Sequence, residues 1–142
     1  MRRGLTLAIL VFGVFFVTGV HSSMQTKSDA VTRLESLAAA DNFGADGALY
    51  TGVHDPVQRA KLNSQFHATV KKFISSVERQ STEQEYLTLL ASEIAQFDRD
   101  ELETEDAEHL AGNFERIMDC IGLESSDGIL NTWMYGFDPN KL

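Results

Sequence analysis

The side chains able to do chemistry are few, and their spacing argues against the common catalytic and metal-binding arrangements. Cys120 and His109 lie eleven residues apart in one helical pattern, which separates them by about 16 Å along the axis and prevents a nucleophile–base contact. Asp106 and His109 have the carboxylate-x-x-His spacing of helical di-iron sites, but such sites need a second pair and further carboxylates. His54, His67 and His109 lack zinc-ligand spacing. The sequence therefore predicts no catalytic residue, metal or cofactor.

The glycine-rich segment DNFGADGALYTGVHDP, residues 41–56, invites comparison with phosphate-binding and calcium-binding loops. No Lys-Ser or Lys-Thr pair follows its glycines and no strand pattern precedes them, as a phosphate-binding loop requires. In an EF-hand register, the third and twelfth ligand positions would be Phe43 and Gly52, which do not suit calcium. The segment is therefore interpreted as a floppy connector, attached to the domain by Phe43, Leu49 and Tyr50.

Charge segregation along the chain is a stronger signal than any motif. Residues 59–79 carry five basic side chains against Glu78, a net charge of +4, whereas residues 83–108 carry ten acidic side chains against Arg99, a net charge of −9. Three interpretations of the acidic turn, residues 98–108, stay open: a solvated face favourable to the next helix dipole, a docking surface for a cationic protein, or a loose divalent-cation site. The residues predicted to contact a partner are Asp98, Asp100, Glu101, Glu103, Glu105 and Glu108.

The N-terminus has the three-part layout of a secretory signal peptide. In MRRGLTLAILVFGVFFVTGVHSS, two arginines precede sixteen uncharged residues from Leu5 to Val20, and short polar residues follow. Small side chains near Ser22 favour signal-peptide cleavage after that residue. As a helix the uncharged run reaches about 24 Å, short of the roughly 30 Å of hydrocarbon in a bilayer. The chain is therefore predicted to be exported, periplasmic or secreted, with residues 1–22 as signal peptide and an uncleaved membrane anchor as the alternative.

The mature chain is predicted to be one acidic domain over residues 23–142. It would carry 10 Lys plus Arg and 21 Asp plus Glu, a net charge of −11. Such a domain repels nucleic-acid phosphates and anionic lipid, so neither is an expected partner. The single Cys120 excludes an intramolecular disulfide, so packing must stabilise the fold.

Apolar periodicity predicts a compact all-α bundle of four to five helices, with no strand pattern. Asp55 before Pro56 is typical of a helix N-cap, and Ser81–Gln84 or Thr82–Glu85 supplies a capping box for the next helix. Gly122 and Gly136 are expected to end helices in the left-handed conformation. The predicted helices cover residues 28–40, 56–79, 82–97, 104–121 and, capped by Ser125 or Ser126, the segment before Gly136. Short connections favour antiparallel neighbours.

The C-terminal segment LESSDGILNTWMYGFDP, residues 123–139, has two interpretations. As a terminal helix it would be clasped onto the bundle by Trp133, Tyr135 and Phe137. As a site, Tyr50, Trp133 and Tyr135 would line the pocket of a small ligand-binding module or enzyme. The clasp is favoured because the segment has a cap, an apolar face and a stop.

The segment FERIMDCIGLESSDGILNTWMYGFDP, residues 114–139, resembles the end of a family of small uncharacterised bacterial proteins classed as a domain of unknown function. The resemblance covers the region from about Phe97 onward, and it implies a helical bacterial protein without a catalytic residue to carry over. In size, charge and predicted cellular location the chain also looks like immunity proteins that neutralise cell-wall-degrading effectors in the periplasm. Several of those rely on a disulfide, which a single Cys cannot form.

These observations together predict an exported non-enzymatic helical protein that binds a cationic protein partner in the cell envelope, with an immunity or inhibitor protein as one such type. A small ligand-binding module or enzyme is the alternative. Self-association through an exposed apolar face is left open.

Overall fold

The structure is a computed structural model that describes residues 19–137, with side chains from residue 27 onward. Five α-helices follow in order: α1 (Gly19–Ala39), α2 (Pro56–Glu78), α3 (Glu83–Ile94), α4 (Thr104–Ile121) and α5 (Ile129–Tyr135). A short 3₁₀ helix, Arg99–Glu101, precedes α4, and no strand occurs between residues 19 and 137. The predicted all-α bundle of four to five helices is confirmed.

The predicted signal peptide falls mainly on residues 1–18, which lie outside the described residues, so its existence and cleavage stay predictions. Within the described part of the chain, every helix is too short or too polar to cross a membrane.

Most helix ends lie where the local sequence signals place them. The Asp55 carboxylate accepts two backbone N–H groups of the first turn of α2. Thr82 and Glu85 form the capping box of α3, which decides between the two registers that the sequence left open. Gly122 ends α4 with φ 71°, and Gly136 ends α5 with φ 77°. Each signal works over one helical turn, so it does not depend on distant contacts.

The beginning of α5 differs from the prediction. The helix starts at Ile129 and has no side-chain cap, whereas Ser125 or Ser126 was expected to cap it. The Ser125 hydroxyl instead donates to the Asp127 carboxylate and accepts from the Asp127 N–H, both at 3.0 Å. The serine therefore closes a local turn, and a short helix without a cap depends on its packing.

Helices α2 and α3 run antiparallel and are pinned by a buried carboxylate. The Glu93 side chain is only 7% exposed and accepts hydrogen bonds from Lys72 Nζ at 2.7 Å and Thr69 Oγ1 at 3.1 Å. Gln65 lies nearer the start of α2 and donates to the Gln96 carbonyl, which follows Glu93 in the chain. Because a buried charge is costly unless it is paired, this contact fixes how the two helices align.

One apolar core lies between the helices. Phe66 of α2 meets Phe114 of α4 and Phe43 of the loop edge to face, at centroid distances of 5.9 and 6.2 Å. Phe97, just after α3, meets Phe114 at 5.9 Å. Edge-to-face contact is the favourable geometry for aromatic pairs, so the rings join four parts of the chain.

The C-terminal helix is attached by residues that differ partly from the predicted clasp. The half-buried Trp133 donates its indole N–H to the Phe97 carbonyl at 3.0 Å. Leu130 and Met134 are buried, whereas Tyr135 and Phe137 are 57% and 51% exposed. The apolar side of this short helix therefore packs on the bundle, with Trp133 bonded to the turn after α3, and Tyr135 and Phe137 lie on the surface.

Replacement of Trp133 by Ala is expected to lower the free energy of unfolding by about 3 kcal/mol, the lower end for a large aromatic residue, because the ring is only half buried. Tyr135→Ala is the matched control and should change it by less than about 0.5 kcal/mol. Urea unfolding followed by circular dichroism measures both. Equal losses at the two positions would contradict this account of the clasp.

Candidate functional site: an acidic groove beside the glycine-rich loop

The glycine-rich loop, residues 41–55, is packed against the helices: Phe43 and Tyr50 attach it as expected, whereas Leu49 does not, and hydrogen bonds along the loop hold it more firmly than a floppy connector. Phe43 is fully buried, and Val53 donates its N–H to the Phe43 carbonyl at 2.9 Å. Tyr50 is also buried, whereas Leu49 beside it is 92% exposed. The loop is therefore an ordered part of the domain with one apolar side chain directed to solvent.

Asp46 and Gly52 shape the tip of this loop. Asp46 Oδ1 accepts the backbone N–H groups of Ala48 at 2.8 Å and Tyr50 at 3.1 Å, and these bonds lower the pKa of Asp46 from its ordinary value. Gly52 has φ 80°, and a Cβ there would lie 2.5 Å from the Ala45 nitrogen. Any larger residue would force the loop open. The glycine therefore serves the loop's conformation.

Asn42 is the point at which the loop leaves α1, and it is only 3% exposed. Its Nδ2 donates to the carbonyls of Leu37 at 2.8 Å and Ala40 at 3.0 Å, which satisfies acceptors that the end of a helix leaves open. Its backbone N–H donates to Asn63 Oδ1 of α2 at 2.8 Å. One residue thus ends α1 through its side chain and aligns α1 with α2 through its backbone.

Two histidines bind the backbone where the loop leaves α1, at Ala40 and Asn42. His67 Nε2 lies 2.8 Å from the Ala40 carbonyl. His109 Nε2 lies 2.8 Å from the Asn42 carbonyl, and Asn113 Nδ2 donates to the same carbonyl at 3.1 Å. Because each imidazole bonds a backbone carbonyl, both histidines fasten the loop to α2 and α4.

Asp41 also ties the loop to α2. Its carboxylate pairs with the Arg59 guanidinium and accepts from Asn63 Nδ2 at 2.7 Å. These contacts, the Arg59 hydrogen bond above all, hold the pKa of Asp41 well below its usual range. The pair is exposed, so it contributes less to stability than the buried Asn42 bonds.

Tyr50 docks the loop onto the start of α4. Its hydroxyl donates to Asp106 Oδ1 at 2.6 Å, and its ring stacks on His109 with centroids 3.7 Å apart and planes 9° from parallel. Burial, reinforced by the Asp106 hydrogen bond, raises the pKa of Tyr50, so the phenol stays protonated. Asp106 and His109, the carboxylate-x-x-His pair of the sequence, are therefore both engaged by the loop.

An open groove of about 480 Å³ lies between the loop tip and α4. Asp46 and Leu49 border it on the loop side, and Glu105, Glu108 and Arg116 border it on the helix side. Its acidic side chains outnumber the single arginine, whose Nη1 donates to Asn113 Oδ1 at 3.1 Å. We call this surface the acidic groove.

The carboxylates predicted to contact a partner are all exposed, and they divide between two places. Glu105 and Glu108 line the acidic groove. Asp98 caps the 3₁₀ helix by accepting the Asp100 N–H at 3.0 Å, and Glu101 lies 3.5 Å from Lys61 Nζ of α2. The predicted residues are Asp98, Asp100, Glu101, Glu103, Glu105 and Glu108. Together with Asp46 they form what we call the acidic end of the bundle.

The loop's contribution to this surface was missed by the sequence analysis. Asp46 followed by Gly47 is a recognisable turn signal, but nothing local shows that the turn lies beside α4. The suggested pocket of Tyr50, Trp133 and Tyr135 does not form around Tyr50: the groove there has neither of the other two in its lining. Tyr50 binds α4, and Trp133 binds the Phe97 carbonyl.

Cys120 lies in surroundings that do not favour a reactive thiol. Cys120 is half buried near the far end of α4, and burial raises the pKa of its thiol, which disfavours the thiolate. Among the residues that the structure describes, His, Cys, Asp and Glu side chains form no cluster of three or more that could hold a metal ion.

Comparison with known proteins supports the resemblance noted from the C-terminal segment. A family model described as a domain of unknown function, DUF4844, matches residues 25–138. The chain is also similar to a DUF3571 family protein from Acinetobacter baumannii AYE, known from a crystal structure. The two are 42% identical with a TM-score of 0.75 over 82% of this chain and 97% of that one. No curated protein matches the chain. The predicted resemblance to a family without assigned function is confirmed, and it extends well before Phe97.

Tyr50→Phe is expected to lower the free energy of unfolding by about 1 to 3 kcal/mol, because it leaves the buried Asp106 carboxylate without its hydroxyl donor. Leu49→Ala, one residue away and exposed, should change it by less than about 0.5 kcal/mol. Urea unfolding compares the two variants. A Tyr50→Phe protein as stable as the Leu49→Ala protein would show that this hydrogen bond does not hold the loop.

Proposed function

Because the chain belongs to the DUF4844 family, a domain of unknown function, we propose its function from its surface: it is an exported, non-enzymatic helical protein that binds a cationic protein in the cell envelope through its acidic end. The observation that carries this proposal is the concentration of exposed carboxylates on the turn before α4, the first turns of α4 and the loop beside them. An acidic surface of this kind attracts a partner of opposite charge and accelerates encounter.

The distribution of ion pairs supports this proposal. The basic residues of α2 neutralise carboxylates one at a time: Lys72 pairs with Glu93, and Lys61 lies beside Glu101. Asp98, Glu103 and Glu105 are exposed and belong to no ion pair among residues 27–137. The basic helix therefore leaves much of the acidic end without a counter-charge, and a cationic partner would supply one.

The predicted location outside the cytoplasm narrows the class of partner. A signal peptide over residues 1–22 would carry the domain out of the cytoplasm, where its partner would be an envelope or secreted protein. An immunity or inhibitor protein covering a basic region of a cell-wall-degrading enzyme fits the size, charge and predicted address. The proposal requires no catalytic group, cofactor or nucleic acid.

Charge reversal tests the surface. The variant Asp98→Lys, Asp100→Lys, Glu101→Lys and Glu103→Lys should lose at least tenfold in capture of partner from an envelope extract, and capture by the wild type should weaken as salt rises. The matched control reverses four exposed carboxylates outside the acidic end: Glu35→Lys, Glu83→Lys, Glu115→Lys and Glu124→Lys. Equal capture by the two variants would overturn the assignment of this surface.

Export is tested separately. Expression of the full chain in a bacterial host, followed by fractionation and N-terminal sequencing, should give an envelope or secreted protein that begins at Ser23. A protein that keeps Met1 and remains in the cytoplasmic fraction would contradict the proposed location. A chain that keeps Met1 in the membrane fraction would identify the anchored alternative and leave the binding proposal standing.

A further inference from the structure

We infer that the Asp127–Gly128 pair, in the turn that joins α4 to α5, is a modification site at which the folded chain converts its own aspartate to isoaspartate. An Asp-Gly pair occurs twice in the chain, at residues 46–47 and at residues 127–128. The fold holds the two pairs differently, and the difference identifies the second pair as the reactive one. The inference concerns a turn outside the acidic end and does not depend on the proposed function.

The reaction needs only the chain and water. The Gly128 amide nitrogen attacks the side-chain carboxyl carbon of Asp127, so a C–N bond forms. The nitrogen gives up its proton and the carboxyl group gives up its hydroxyl, which leave as one water molecule, and a cyclic imide remains. Water then opens the ring at one of its two carbonyls. Opening at the side-chain carbonyl restores aspartate, whereas opening at the main-chain carbonyl leaves the backbone running through the side chain, which is isoaspartate.

The turn leaves the attacking nitrogen accessible. Gly128 has no side chain to obstruct the reaction, and its φ of 80° is a conformation that glycine adopts freely. Its N–H makes no backbone hydrogen bond among the residues that the structure describes. Asp127 is exposed, so water reaches both the carboxyl group and the imide. The nitrogen, the carboxyl carbon and the water that the reaction needs therefore meet in one turn.

The backbone conformation of Asp127 also favours the conversion. Its φ is 49°, in the left-handed region that side chains other than glycine rarely adopt. The residue is held there by Ser125, whose hydroxyl donates to the Asp127 carboxylate and accepts its N–H, both at 3.0 Å and both exposed. Isoaspartate has one more carbon in its backbone and is not confined to this conformation. Conversion therefore relieves a local strain that only an exposed turn maintains.

The other pair is protected, although it is exposed too. Asp46 Oδ1 accepts the backbone N–H groups of Ala48 at 2.8 Å and Tyr50 at 3.1 Å, and Tyr50 is itself fixed by Asp106. These bonds lower the pKa of Asp46. An ionised carboxylate must take up a proton before it can lose water, so a carboxylate stabilised in this way reacts more slowly. The Asp127 carboxylate has one hydroxyl donor and no backbone donor among the described residues.

Conversion would loosen the start of α5. The helix begins at Ile129 without a side-chain cap, and the Ile129 N–H donates to the Ser126 carbonyl at 2.9 Å. Isoaspartate adds a backbone carbon between these two groups, which moves them apart. Because α5 has only seven residues, it depends on its attachment to the bundle. A converted chain is therefore expected to release α5, and with it the bond from Trp133 to the Phe97 carbonyl, more easily.

The test ages the purified full chain at neutral pH and follows both pairs by tryptic digestion and mass spectrometry with electron-transfer fragmentation, which distinguishes isoaspartate from aspartate. Trypsin places the pairs in separate peptides, residues 34–59 and residues 117–141. In the folded protein the second peptide should gain isoaspartate about tenfold faster than the first, because two amide donors stabilise the Asp46 carboxylate. In concentrated urea, which removes the fold, the two rates should agree within about twofold.

Equal rates at the two pairs of the folded protein, or conversion at residue 127 that occurs only in urea, would overturn the inference. The variant Asp127→Glu is the matched control: its longer side chain forms the imide far more slowly, so conversion should disappear at residue 127 and continue unchanged at residue 46. The comparison of the two peptides within the wild type does not depend on how well this variant folds.

The effect on α5 is measured on the same samples. The urea midpoint reported by the fluorescence of Trp133, the single tryptophan of the chain, should fall by roughly half a molar in the aged wild type. It should stay constant in Asp127→Glu aged beside it. A converted wild type with an unchanged midpoint would overturn the predicted loosening of α5.

Discussion

The hydrogen bonds of Asn42 are the contact on which the arrangement of this surface depends. The buried amide ends α1 by bonding its last carbonyls, and the backbone of the same residue bonds Asn63 of α2 and both His109 and Asn113 of α4. Leaving a buried polar group without a partner is costly, and of the polar atoms of Asn42 only Oδ1 lacks a hydrogen bond within the described residues, so these bonds favour one position of the loop relative to the three helices. The stack of Tyr50 on His109 follows from that position.

This constraint links the core to the acidic groove. His109 is fixed from one side by Asn42 and presents its ring to Tyr50 on the other. Tyr50 then binds Asp106, which brings Asp46 and Leu49 next to α4. A segment rich in glycine is thus held against the helices by polar bonds to distant residues, in place of the periodic packing that it lacks.

Local signals explain which parts of the fold could be predicted from the sequence. Asp55, Thr82 and Gly122 act within one helical turn, so the helix ends they specify are predictable from neighbouring residues. The start of α5 was misjudged because Ser125 has an equally local alternative, its exchange of hydrogen bonds with Asp127. Local rules cannot rank two short-range bonds made by one hydroxyl.

The candidate site was predictable only in part, for a different reason. Exposure of carboxylates such as Glu105 and Glu108 is expected for a dense run of like charge, because burying an unpaired charge is costly. The burial of Asp106 inside that run depends on Tyr50, 56 residues earlier in the chain. The groove likewise depends on Asp46 meeting α4 across the fold. Contacts over such separations leave no periodic or spacing signal in a single sequence.

Helix α1 gives the bundle two distinct poles. From Ser23, the proposed start of the mature chain, to Ala39 it has 17 residues, about 26 Å at 1.5 Å per residue. It lies antiparallel to α4, because Arg33 bonds the Cys120 carbonyl while Asn42, just past the end of α1, meets His109 and Asn113. The N-terminal side of α1 and the acidic end are therefore at opposite poles. If the N-terminus were attached to a bilayer or a resin, the groove would lie several Debye lengths of about 8 Å away from that surface, so charges on the surface would be screened from it. Helix α1 would then act as a spacer that keeps the acidic end facing outward.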